Sequence, residues 1–158
     1  MDFALTEEQE MIRESAENFL ADVSTSAAVR EAMQTEQGYD QQVWLRICEE
    51  MVWPAIHIPE AYGGMGLGYV ELAVLLEKMG KYLLCSPYFS TVCLGVNALL
   101  MAGTEQQKAD YLPKIAEGQL TATLAYTGIN GRWDAHGVQA TYQKTTTGYV
   151  LYGQCRFV

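Results

Sequence analysis

The sequence predicts a mostly α chain. An all-helical part spans residues 1–119 with about six helices, and the opening strands of a second, β-rich part span 120–158. Three observations predict it. Thr6-Glu7-Glu8-Gln9 and Thr104-Glu105-Gln106-Gln107 are capping boxes, each able to satisfy the free N–H groups of a helix start. Between them, apolar residues recur at helical spacing. From Leu120 the period changes to two, with small, branched and aromatic residues in short runs.

The elements follow in order. Ile12, Ala16, Phe19 and Leu20 form one stripe, which carries the first helix to about Asp22. Ser26 to about Gln34 forms a short second helix. Asp40 caps a third, with Val43, Trp44, Ile47 and Met51 on its inner face. Pro54 and Pro59 bracket an extended apolar segment, 55–58. Residues 60–68 then carry four glycines within six positions. A phosphate cradle is one reading of that loop. No Lys-Ser/Thr follows it, no G-x-G-x-x-G spacing fits and no βαβ frame surrounds it, so a packed structural turn is favoured.

Tyr69 to Lys81 is strongly periodic, with Leu72, Leu75, Leu76 and Met79 inward and Gly80 closing it. Ser86-Pro87 breaks the chain. Ser90–Ala102 is apolar nearly all round, which marks a buried helix ended by Gly103. The helix from Thr104 runs to about Ile115, with Pro113 kinking or ending it. Strands are expected at Thr121–Thr127, Val138–Lys144, Tyr149–Tyr152 and Cys155–Val158, with turns at Thr147-Gly148 and Gly153. Gly128 to Asp134 reads as a loop leaving a strand end, a common place for a ligand.

Composition bounds the function. The chain has 158 residues and a formal net charge of −9, from 19 acidic and 10 basic residues. That balance argues against nucleic acid and anionic membranes as partners. No apolar stretch is long enough to span a bilayer, and the N-terminus does not read as a signal peptide. The four cysteines form no C-x-x-C pair and no Cys/His cluster with zinc spacing, so no metal site is expected. Free thiols in a reducing cytoplasm are the favoured state.

Four segments then point one way: residues 2–9, residues 58–67 (Ile-Pro-Glu-Ala-Tyr-Gly-Gly-Met-Gly-Leu), residues 103–108 with Tyr111-Leu112-Pro113, and residues 148–153. Their order and near-ungapped spacing resemble the flavin-dependent acyl-CoA dehydrogenases. The resemblance covers the whole chain. It implies an N-terminal helical domain followed by the first strands of a middle β-barrel domain. It also implies FAD as cofactor, an acyl-CoA thioester as substrate, an electron-transferring flavoprotein as partner, and a homo- or hetero-oligomer.

Site residues are implied where the family's motif matches. The first middle-domain strand hydrogen-bonds the flavin ring in this family, and Leu124 and Tyr126 match the positions flanking the ring. Thr127 matches the family's Thr, and Asp134 matches its Asp. Phe157 matches a position usually occupied by a Trp beside the flavin. Ser86 to Ser90 match the turn and helix start at the base of the acyl cavity, which assigns Ser86, Tyr88 and Ser90 to the substrate. For Tyr88 and Phe89 a core role is favoured.

Two departures stand out. Gly128-Ile129 replaces the family's Glu-Pro, and Trp133 replaces a Ser that helps hold the acyl-CoA. Trp133 is assigned to both cofactor and substrate, with loop packing equally open. Gly131-Arg132-Trp133-Asp134 leans toward the branch that degrades steroids and other bulky acids.

The family's catalytic base is a carboxylate in a C-terminal domain. Glu60, Glu71 and Glu77 read instead as loop or helix-face residues, so no catalytic residue is expected in these 158. Two readings stand: the N-terminal part of an acyl-CoA dehydrogenase, inactive alone, or a non-catalytic helical subunit that partners a complete dehydrogenase. The open edge of the last strand favours the first.

Overall fold

The computed structural model describes residues 4–156; Phe157 lies outside them. The chain forms two compact units, Met1–Ala122 and Thr123–Val158.

The first unit is helical. Its α-helices are α1 (Glu7–Val23), α2 (Ser26–Ala32), α3 (Gln41–Glu49), α4 (Tyr69–Lys81), α5 (Asn97–Ala102) and α6 (Glu105–Ala116). The starts are set by side chains. The Thr6 and Thr104 hydroxyls accept the N–H groups of Gln9 and Gln107, and each Gln side chain returns a bond to its cap's N–H. Asp40 accepts from the N–H groups of Gln42 and Val43. Pro113 neither ends α6 nor stops it before Ala116. It sits within the last turn, where it removes one N–H donor and the helix runs only three residues further.

The main core gathers Phe19 and Leu20 of α1, Trp44 and Ile47 of α3, and Leu72, Leu75 and Met79 of α4. Each fully buried aliphatic chain, such as Leu20 or Leu75, contributes about 2 kcal/mol. Phe19 meets Trp53 edge to face at 5.3 Å, and the Arg46 guanidinium lies 5.0 Å from the other partner of that stack, Phe19. A second cluster holds Ala55, Ile58, Val96, Leu112 and Ile115. The α1–α4 seam is also tied at its surface. Glu17 takes bonds from Lys81, Tyr82 and Lys78, which hold its carboxyl down at about 2.

The segment 55–58 is not extended. Trp53–Ala55 is a 3₁₀ turn and the chain stays turned through Ile58, by N–H bonds from Ala55 to Val52, Ile56 to Trp53 and Ile58 to Ala55. The turn alternates its side chains between cores: Trp53 and Ile56 enter the first, Ala55 and Ile58 the second. The prolines set the ends of the segment, and the two cores set its curl.

The expected helix over Ser90–Ala102 is two helices. Phe89–Val96 is a π-helix, and α5 continues from Asn97. Side chains stitch both ends: the Ser90 hydroxyl donates to the Pro87 carbonyl, and the Asn97 amide donates to the Cys93 carbonyl.

In the second unit, β1 (Thr141–Lys144) and β2 (Tyr149–Tyr152) pair antiparallel, with Thr141 opposite Tyr152 and Lys144 opposite Tyr149. Every residue of both strands is exposed. No ladder forms over 123–127 among the described residues. Within this unit that segment meets a partner at Thr127, whose carbonyl accepts the Arg156 N–H at 2.8 Å, and at Ala125, whose carbonyl accepts from the Cys155 thiol at 3.4 Å.

Candidate functional site

The loop after Thr127 is closed by its own backbone. The Gly131 N–H reaches the Gly128 carbonyl, and the Asn130 side chain accepts the Arg132 N–H. Arg132 makes a two-pronged ion pair with Asp134, which holds the Asp134 carboxyl below its ordinary range. Gly128 packs against the far side of the loop. A Cβ there would lie 2.3 Å from the Gly137 carbonyl oxygen. A glutamate at this position, as the family usually has, does not fit the loop as it is closed. The Gly128 departure is therefore built into the geometry.

Trp133 stands out from that loop with 75% of its surface exposed, its ring edge-to-face with Tyr126 at 6.2 Å. It is held rather than packed away. Thr127 is buried. Among the described residues, the backbone N–H groups of Leu124, Tyr126 and Thr127 donate to no carbonyl or side chain. Leu124, Tyr126, Thr127 and Trp133 thus fall within one short stretch of the second unit.

The residues assigned to the acyl end lie in the helical unit. The Ser86 hydroxyl accepts the Tyr88 N–H at 3.4 Å, and the Ser90 hydroxyl, in the first turn of the π-helix, donates to the Pro87 carbonyl at 3.0 Å. Tyr88 is a core residue: it is 1% exposed and its hydroxyl donates to the Trp53 carbonyl. Phe89, beside it, is exposed. A cavity of about 380 Å³ bounded by α1, α2 and the start of α3 reaches Leu84 and Cys85, but Ser86, Tyr88 and Ser90 do not line it.

The glycine loop is a structural turn. The N–H groups of Met65, Gly66 and Leu67 are spent on the carbonyls of Ala55, Ile58 and Ile56, and so face the 3₁₀ turn and not a phosphate. Among the described residues no group of three or more His, Cys, Asp or Glu could hold a metal ion, and no helix is long and apolar enough to cross a membrane.

Two features escaped the sequence reading. One is the π-helix. An all-round apolar run carries no period that separates i→i+5 from i→i+4 bonding. The other is His57, which is 7% exposed with neither ring nitrogen in a hydrogen bond. Burial pulls its pKa below the ordinary value; the Asn97 amide is near enough to oppose that shift.

Comparison with known proteins places this architecture. The profile of the acyl-CoA dehydrogenase N-terminal domain matches residues 6–119. Acyl-CoA dehydrogenase IpdE2 of Mycolicibacterium smegmatis is 34% identical over 130 residues, covering 80% of this chain and 40% of its own. The Tcur3481-Tcur3483 steroid ACAD has a TM-score of 0.83 at 27% identity, over 95% of this chain and 40% of that one. PigA with FAD and proline has a TM-score of 0.80 at 27% identity, over 99% of this chain and 41% of that one. The chain spans about two fifths of the length of these relatives. With the family's helical-domain profile matched over 6–119, this chain belongs to the acyl-CoA dehydrogenase family.

Proposed function

We propose that the chain is the N-terminal part of an FAD-dependent acyl-CoA dehydrogenase, which removes hydrogen from the α and β carbons of an acyl-CoA thioester. One observation carries the reading. A helical domain of this family is followed at once by a segment, 124–127, whose backbone N–H groups have no partner among the described residues and which ends on a buried threonine. Such donors suit the carbonyl and nitrogen edge of a flavin ring. The cofactor implied is FAD, which supplies the hydride acceptor. In this chain, Leu124, Tyr126 and Thr127 orient that edge, and Trp133 together with Tyr126 offers an aromatic wall where the family offers a serine hydroxyl.

Phe157 and the pair Ser86 and Ser90 complete the set of residues we assign to cofactor and acyl group. Tyr88, read with them for the acyl group, is held in the core of the helical unit by its bond to the Trp53 carbonyl. The residues assigned here include no carboxylate, so no residue of these 158 is assigned as the base that takes the α proton. An acyl-CoA with a bulky ring system is the substrate class that the exposed indole favours, in keeping with the likeness to a steroid ACAD. An electron-transferring flavoprotein is the implied acceptor.

The test is anaerobic mixing of the full-length gene product with acyl-CoA thioesters. A yellow protein whose flavin band bleaches is expected, with ring-bearing acyl groups faster than straight chains. A folded but colourless protein overturns the reading. A second reading is favoured by Gly128 and Trp133: a non-catalytic helical subunit that partners a separate, complete dehydrogenase. Co-purification from the native cell as a defined hetero-oligomer distinguishes it from the first.

A further inference from the structure

We infer that Thr91 and Gly95 are positioning residues: they fix the point at which the chain leaves the helical unit, and through it the flavin contacts of Leu124 to Thr127. The inference rests on the flavin reading above and adds to it two residues of the π-helix.

Both act on one residue, Ala122. Thr91 is fully buried, and its hydroxyl accepts the Ala122 N–H at 3.2 Å. Gly95 lies under the same residue. A Cβ at Gly95 would fall 2.6 Å from the Ala122 Cβ and 3.2 Å from its carbonyl carbon. One residue holds Ala122 by a hydrogen bond and the other by leaving room for it. The two are four apart, and the wide turns of a π-helix bring residues four to five apart onto one face. The helix is itself fixed: Ser90 bonds back to Pro87 at its start, and Asn97 bonds back to Cys93 near its end. The Tyr69 hydroxyl in turn donates to Asn97 at 2.7 Å.

Ala122 is two residues before Leu124. Two residues of chain span at most about 7 Å, so displacement at Ala122 reaches Leu124 with little slack. Hydrogen bonds to a flavin edge tolerate roughly 0.5 Å of error. A π-helix interrupts regular bonding and is found often at functional sites. Here it seats Ala122 against Thr91 and Gly95.

The experiment uses the full-length flavoprotein with Thr91→Val, Thr91→Ser and Gly95→Ala. FAD dissociation constant, flavin absorption spectrum and reduction potential are measured beside the thermal melt. Thr91→Val and Gly95→Ala are expected to weaken FAD binding about tenfold, the scale of one lost hydrogen bond. The spectrum and potential shift with it, and Thr91→Ser restores all three. Unchanged FAD affinity, spectrum and potential in Thr91→Val and Gly95→Ala overturn the inference. A wild type that binds no FAD overturns the flavin reading instead, and amide exchange over 122–127 then decides the seat. Faster exchange in Thr91→Val supports it, and unchanged exchange overturns it.

Discussion

His57 is a buried base whose ring nitrogens meet no hydrogen-bond partner among the described residues; the Tyr69 ring lies at 5.6 Å and the Asn97 amide is close by. Burial lowers its pKa in the fold, so below the ordinary value of 6.5 the unfolded chain binds a proton that the folded chain refuses. The stability this residue leaves intact at neutral pH is therefore lost as pH falls from about 6.5 toward the lower folded value. Denaturant unfolding at pH 7 and pH 5 measures it. The wild type loses stability over that window, and His57→Leu removes the part of the loss that His57 causes. In the sequence His57 is one polar residue between two isoleucines, and that much of its setting was legible. Its isolation was not, because the residues around it come from α4 and α5.

At the scale of elements, helix starts were legible and helix ends less so. Thr6, Asp40 and Thr104 cap α1, α3 and α6 as their side chains dictate. The end of α4 shows the limit. Gly80 reads as the closing residue, yet the left-handed position falls on Leu83, at φ 52°. Leu84 N–H returns to the Met79 carbonyl and Leu83 N–H to Gly80, the paired bonds of a Schellman end. Leucine in that conformation costs about 1–2 kcal/mol, and its side chain is 70% exposed, so little packing offsets it. Leu83→Gly is expected to raise stability by about 1 kcal/mol, read as a higher melting temperature. The candidate site divides in the same way. The assignment of Leu124, Tyr126, Thr127 and Trp133 comes from the match to the family's motif, not from the residue types alone. The closure of the loop over Gly128 could be read from neither, because it depends on the Gly137 carbonyl nine residues away.

For the whole molecule, the helical unit holds both buried clusters, and the second unit shows a hairpin exposed on both faces. Residues 1–122 expressed alone are expected to fold cooperatively, with a melting temperature within a few degrees of the full 158. Circular dichroism of the two chains side by side checks this, and a broad, non-cooperative melt of the shorter chain refutes it. The hairpin was foreseen from its turn and its alternation, but pairing over 121–127 was not realised among the described residues. A strand needs a neighbour for its hydrogen bonds, and period-two patterning shows only that a segment is ready for one.

Cys48 gives the helical unit a chemical clock. It is 5% exposed, its Cβ would meet a side chain at Gly118 at 2.4 Å, and burial pushes its thiol up to about 11. A thiol in that state does not alkylate from the folded protein. Its modification waits on opening of the α3 end against the chain after α6, so the rate at which Cys48 takes a label at neutral pH counts the openings of the core one molecule at a time.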